Sequence, residues 1–140
     1  MPTNAFSFKD PAGVRRVTST DLRELFEFGF NHAGTWLFLA QGYAFADNAE
    51  LRLRLELADG FDDIRMDFGA IPPGEVGKPF SLTFGASVTP APDPLITNRV
   101  RFGASTSNAE RVAGVGGIAI VALAVDNVST VILGGDLSDT

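Results

Sequence analysis

Nine residues, Ala49 to Leu57, read AELRLRLEL. Leu51, Leu53, Leu55 and Leu57 recur at every second position, with Glu50, Arg52, Arg54 and Glu56 between them. A helix, turning about 100° per residue, scatters those leucines around its circumference; a strand puts all four on one side and the charges on the other. A strand with one apolar face must bury it against a second layer, so this segment commits the chain to a layered β structure. The same alternation recurs at Phe26, Phe28 and Phe30, at Ile64, Met66 and Phe68, at Phe80, Leu82, Phe84, Ala86 and Val88, and at Val100 and Phe102. Each set is expected to point inward. Turn-forming runs separate them: NHAG (31–34), ADNA (46–49), ADG (58–60), IPPGEVGKP (71–79), TPAPDP (89–94) and STSNAE (105–110). The spacing predicts strands near 14–19 and at 25–30, 35–46, 49–57, 63–69, 79–88, 95–103, 116–125 and 128–133. Eight or nine such strands fit an all-β antiparallel jelly-roll sandwich better than a seven-stranded immunoglobulin-type one, and no Cys…Trp…Cys framework exists. DLRELFEF (21–28), with Asp21 at an N-cap position and Glu24 three residues on, also fits a helical turn; the phenylalanine alternation that follows favours a strand.

Two segments depart from alternation by being apolar on both faces. These are TWLFLAQGYAFA (35–46) and GIAIVALAVDNV (117–128). Such strands need cover on both sides, from a loop, a second layer or another subunit. In the second, Ile118, Ile120, Ala122 and Ala124 form one face and Ala119, Val121, Leu123 and Val125 the other. One face is expected to pack on the core and Ala119, Val121, Leu123 and Val125 to meet copies of the chain around a threefold axis. Twelve of the fourteen aromatic residues are Phe, which has no polar tip and prefers dry surroundings. Phe6 and Phe8 lie in an extended segment flanked by Pro2, Pro11 and Gly13. They suit an arm that anchors on a neighbouring molecule, or equally one that folds back on its own sheet.

The length of 140 residues suits one domain: an arm and first strand over 1–20, a sandwich over 21–134 and an acidic tail over 135–140. Charge and composition narrow the chemistry. A net charge of -6 without a basic block argues against a nucleic-acid partner. No cysteine is present, which removes disulfides, thiolate catalysis and cysteine-bound zinc. The N-terminus has no basic start followed by an apolar run, and the uncharged stretch 112–125 is too short to span a bilayer as a helix. The expectation is a soluble protein without membrane partners, not exported by the general route. The one histidine, His32, sits in a turn with no Ser-centred elbow to serve, and it is too little for a histidine-rich metal centre. Asp59, Asp62 and Asp63 could offer oxygens to calcium, yet their spacing is not that of a calcium loop. AGVGG (113–117) resembles a phosphate-cradling loop but lacks Gly-Lys-Ser/Thr and leads into a strand; a hairpin or bulge is the better reading. Trp36 and Tyr43, seven apart, face opposite sides of a regular strand, which opposes a shared sugar platform. No catalytic set and no cofactor is expected.

Ala33-Gly34-Thr35-Trp36-Leu37, the alternating Leu51–Leu57 and the closing Ile118–Val125 together resemble jelly-roll domains of the tumour-necrosis-factor and complement-globular-head type. The resemblance covers about residues 25–128. It implies a homotrimer whose last strand lies near the axis, and no functional residues carry over. Similar domains occur in capsid decoration proteins, head fibres and tail-fibre tips. The function expected is therefore a non-enzymatic structural protein of a virus or phage particle, a trimeric decoration on the virion surface made in the host cytoplasm. It would partner itself and a major capsid or other particle protein. The alternative is a tail-fibre tip or lectin-like module binding a cell-surface glycan through residues near Tyr43, Asp62 or Asp63.

Overall fold

A computed structural model describes residues 5–58, 64–90 and 98–125. Nine strands run through them: β1 Ala5–Lys9, β2 Val14–Arg16, β3 Arg23–Gly29, β4 Gly34–Ala46, β5 Leu51–Ala58, β6 Ile64–Ile71, β7 Glu75–Val88, β8 Arg99–Thr106 and β9 Ala113–Ala124. They form two antiparallel sheets. The first has the order β1-β9-β4-β7, with β2 continuing the β1 edge along β9; the second has the order β3-β8-β5-β6. This is a jelly-roll sandwich, and DLRELFEF is strand rather than helix. No described helix is long and apolar enough to cross a membrane. The segment 128–133, the aspartates at 59, 62 and 63 and the tail 135–140 lie outside the described residues.

The inward alternation of Leu51, Leu53, Leu55 and Leu57 is realised: none is more than 4% exposed. Register stacks them in rows with the neighbouring strands, Leu55 beside Phe102 and Phe102 beside Phe26, then Leu57 beside Val100 and Val100 beside Phe28. From the opposite sheet Trp36, Phe38 and Ala40 meet the core on β4, Leu82 and Ala86 on β7, and Ile118, Ile120 and Ala122 on β9. Fully burying one such large side chain contributes about 1.5–3 kcal/mol. The turn after β4 rests on Asn48, whose φ of 52° is one that asparagine tolerates better than most residues.

β6 reverses the expected alternation. It pairs Arg54 with Phe68 and Leu55 with Asp67, so Phe68 shares the outer face with Arg54 and is 63% exposed. Two contacts with the facing edge explain the inversion. Asp67 Oδ2 accepts the Thr83 N–H of β7 at 2.9 Å, satisfying a donor on an unpaired sheet edge. Gly69 leaves room for Leu82: a Cβ there would stand 2.8 Å from Leu82 Cδ2. An edge strand can thus spend its inner face on closing the sandwich, and alternation alone does not say which set points in.

At the other edge, β1 and β2 pair with successive stretches of β9, broken at Asp10–Gly13 where Gly13 takes a φ of 77°. Asp10 holds this break together. Its carboxylate, with no exposed side-chain surface, accepts Arg15 Nε at 2.6 Å and Nη2 at 2.9 Å, and the Ala12 N–H at 3.0 Å. The Arg15 guanidinium holds the Asp10 carboxyl below the usual carboxylate range. A carboxyl depressed in the folded state stabilises it above the unfolded pKa, and that contribution fades as pH falls through the folded value. Asp10→Ala is therefore expected to cost about 2 kcal/mol at neutral pH. The gap from the parent should close in denaturant titrations run below pH about 4; a gap that persists unchanged there contradicts the assignment.

Candidate functional site

The sandwich has two outer faces, and they differ in kind. On the β3-β8-β5-β6 sheet, Glu27, Arg101 and Glu56 stand side by side across three strands. Arg101 lies 3.3–3.5 Å from Glu24, Glu27 and Glu56; Arg99 Nη1 is 2.9 Å from Glu27 and Arg54 Nη2 2.8 Å from Glu56. The Glu56 side chain is only 5% exposed, its charge met by two arginines. A hydrogen bond between Glu24 and Glu27 pushes the Glu24 carboxyl up and the Glu27 carboxyl down. Arg99 and Arg101 are both paired with carboxylates of the chain itself.

On the β1-β9-β4-β7 sheet the two doubly apolar segments are neighbours. Leu37 stands beside Leu123, Leu39 beside Val121 and Gln41 beside Ala119. On the far side of β9, Ala5, Ser7 and Lys9 extend the rows; on the far side of β4, Gly85, Thr83 and Ser81 do. All nine strands belong to the two sheets of the sandwich, so no described strand lies over this face. Leu37, Leu39, Ala119, Val121 and Leu123 are each half-buried. Val125, just past β9, is 39% exposed. Ala119, Val121 and Leu123 thus lie opposite the core-facing Ile118, Ile120 and Ala122, while Val125 falls outside the strand's alternation. Sequence reasoning named only the β9 half of this patch. Leu37 and Leu39 carried the same signal, apolar residues at every position of 36–40, but nothing in the sequence says that β4 and β9 are adjacent.

Phe6 and Phe8 point into the chain's own core. Phe8 stacks on Phe28 with centroids 3.7 Å apart, and Phe6 on the His32 ring at 4.0 Å, beside Phe30 and Trp36. Of the two destinations the sequence left open, this chain adopts the folded-back one, and anchoring through either ring would require β1 to leave β9. His32 is thus an aromatic neighbour, and its carbonyl accepts the Trp36 Nε1–H at 2.9 Å. Trp36 is buried and Tyr43 is 40% exposed on the outer face, as their spacing predicts. Among the described residues no three His, Asp or Glu side chains are grouped to hold a metal ion. The glycine run 113–117 is part of β9, with a kink at Gly117 (φ 60°), so its likeness to a phosphate loop does not extend to the fold.

No protein-family model matches the chain, and a search of curated sequences finds no match. Solved structures do match in fold. An Eiger TNF from S. frugiperda aligns over 89% of this chain and 93% of its own length, with 12% identity and a TM-score of 0.53. The VP2 subviral particle of infectious bursal disease virus aligns over 88% of this chain at 11% identity, with a TM-score of 0.59. The Gt strain of that virus aligns over 88% at 15% identity, with a TM-score of 0.52. The chain spans about a third of the length of those two viral chains (33% and 31%). At such identities the likeness extends to the jelly-roll fold alone.

Proposed function

We propose that the chain is a non-enzymatic structural module that assembles with copies of itself, a homotrimer decorating the surface of a virus or phage particle. The observation that carries this reading is the contrast between the two outer faces. One carries a network of intrachain ion pairs across β3, β8 and β5, with Phe68 exposed at its β6 edge; the other offers Leu37, Leu39, Ala119, Val121 and Leu123 with no charge among them. A charged, internally paired face is comfortable in water, whereas a sheet face of adjacent Leu and Val side chains marks an interaction surface. Two such patches suffice for a contact of ordinary area only if the strand edges join in, and Ala5, Ser7, Thr83 and Ser81 supply small or polar rims on both sides. A jelly roll shared with a viral capsid protein and with a tumour-necrosis-factor-type ligand suits both the self-association and a particle surface. The particle partner, a capsid or other structural protein, would meet the remaining surface.

Electrostatics give the reading a measurable signature. Each chain carries -6, so gathering three concentrates negative charge while the contacts themselves are apolar. Salt screens the repulsion and leaves the apolar attraction in place. Sedimentation equilibrium should therefore show association strengthening between about 0.02 and 0.5 M NaCl. Association that weakens with salt would assign the contact to ion pairs and exclude this face. Recovery of the chain with intact particles from its source tests the particle half of the reading, and a chain found only free of particles contradicts it.

A further inference from the structure

We propose that the Tyr43–Phe45 end of the same outer face is a saccharide-binding platform, for a neutral pyranose chain, adjoining the self-association patch. The glycine run that the sequence left without a role builds it. Tyr43 stands beside Gly116, and Phe45 beside Gly114, on the neighbouring strand β9. A Cβ on Gly116 would lie 2.5 Å from Tyr43 Cζ, and one on Gly114 would lie 2.5 Å from Phe45 Cζ. One on Gly117 would lie 3.1 Å from Tyr43 Cε1. Both rings therefore lie down across a stretch of β9 whose outward side carries no side chain. Tyr43 remains 40% exposed and Phe45 half-buried, about 7 Å apart along the strand.

Clefts flank the rings at both ends. One of about 520 Å³ opens at the bulge beside Gly42 and includes Gln41, Ser81, Pro79 and Phe80. The other, about 260 Å³, includes Phe45, Asp47, Glu75 and Val76. An amide, a hydroxyl and two carboxylates thus border two flat apolar rings. That mixture matches a sugar, whose ring presents C–H groups on its face and hydroxyls around its rim. It does not match a further copy of the chain. Two aromatic side chains offer roughly 300–500 Å², short of the roughly 800 Å² per partner of a stable protein contact. The aliphatic patch, starting four residues back at Leu39, is the better protein surface. Asp47, Glu75 and the overall charge favour a neutral over an acidic chain.

Tyr43 is the only tyrosine, so 3-fluorotyrosine labelling places one ¹⁹F resonance at the site. The full-length chain is titrated separately with cellohexaose, maltohexaose, chitohexaose and a decaproline peptide, each to about 10 mM. The expected result is a saturable shift with at least one hexasaccharide, at a Kd of about 1 mM or tighter. Phe45→Ala is expected to weaken it about tenfold. Gln41→Ala, which leaves both rings and the core untouched, weakens it as well and guards against misfolding of the first variant. Phe68→Ala, on the outer face of the opposite sheet, leaves it unchanged. No shift with any hexasaccharide, or a shift with decaproline alone, overturns the proposal; the second outcome makes the platform a protein-docking site.

Discussion

Val121→Arg is expected to release single, folded chains. Val121 lies at the middle of the outer aliphatic patch, beside Leu39 on β4 and Ser7 on β1, with its side chain half-buried and directed away from the core. Within one chain the change replaces a half-exposed valine by a long side chain that can reach water, so the thermal midpoint of the isolated sandwich should move little; surface changes of this kind usually cost under about 0.5 kcal/mol. In an assembly the same position is enclosed. The substitution there removes a buried valine, worth about 1.5–3 kcal/mol, and adds a guanidinium with no anion in the neighbouring rows of the sheet to meet it, at a cost of several kcal/mol more. Together these should raise the dissociation constant by about a thousandfold or more. The readouts are molar mass in solution and far-ultraviolet circular dichroism. Unchanged mass with unchanged spectra would show that the patch is not where copies meet.

The second large effect falls inside the sandwich. Phe30 is 1% exposed and touches five rings edge-on, Phe6, Phe8, His32, Trp36 and Phe38, at centroid distances of 5.0–6.3 Å. It is where the N-terminal strand, the end of β3 and the start of β4 are bound together. Truncation leaves a cavity that rigid strands cannot close, so Phe30→Ala should cost about 3–5 kcal/mol and lower the melting midpoint by roughly 10 °C. Because Phe6 and Phe8 both rest on Phe30, the β1 amides should lose hydrogen-exchange protection before those of β5, whose leucines lie in other rows. Equal loss in β1 and β5 would mean that β1 is an integral part of one cooperative unit. Phe68→Ala, at an exposed position of β6, is the control and should change stability by less than about 0.5 kcal/mol.

The difference between those two phenylalanines shows where the sequence is and is not legible. Leu51, Leu53, Leu55 and Leu57 could be read inward without ambiguity because charged residues occupy every alternate position, and a buried Arg52 or Arg54 would have no partner. Phe68 was misread because its alternate, Asp67, can be drawn inward at an edge, where one backbone donor of β7 accommodates it. The fold itself follows from strand number and doubly apolar strands, since both are local properties of the chain. Adjacency is not local. That β4 and β9 lie side by side joins Leu37 and Leu39 to Val121 and Leu123, and it also lays Tyr43 and Phe45 over the glycines of β9. Neither patch could be assembled from spacing along the chain. Phe6 and Phe8 stay open in the sequence for a related reason: the alternation shows that they share a face, and only the register of β1 on β9 shows which surface that face meets.

The outer face of β4 and β9 is expected to be covered by other copies of the chain. Light scattering on the eluting peak of a size-exclusion column, at micromolar concentration and near-physiological salt, measures this without labels or substitutions. The prediction is a particle of three times the 14.8 kDa chain mass. A monodisperse peak at 14.8 kDa that does not shift on concentration would contradict it.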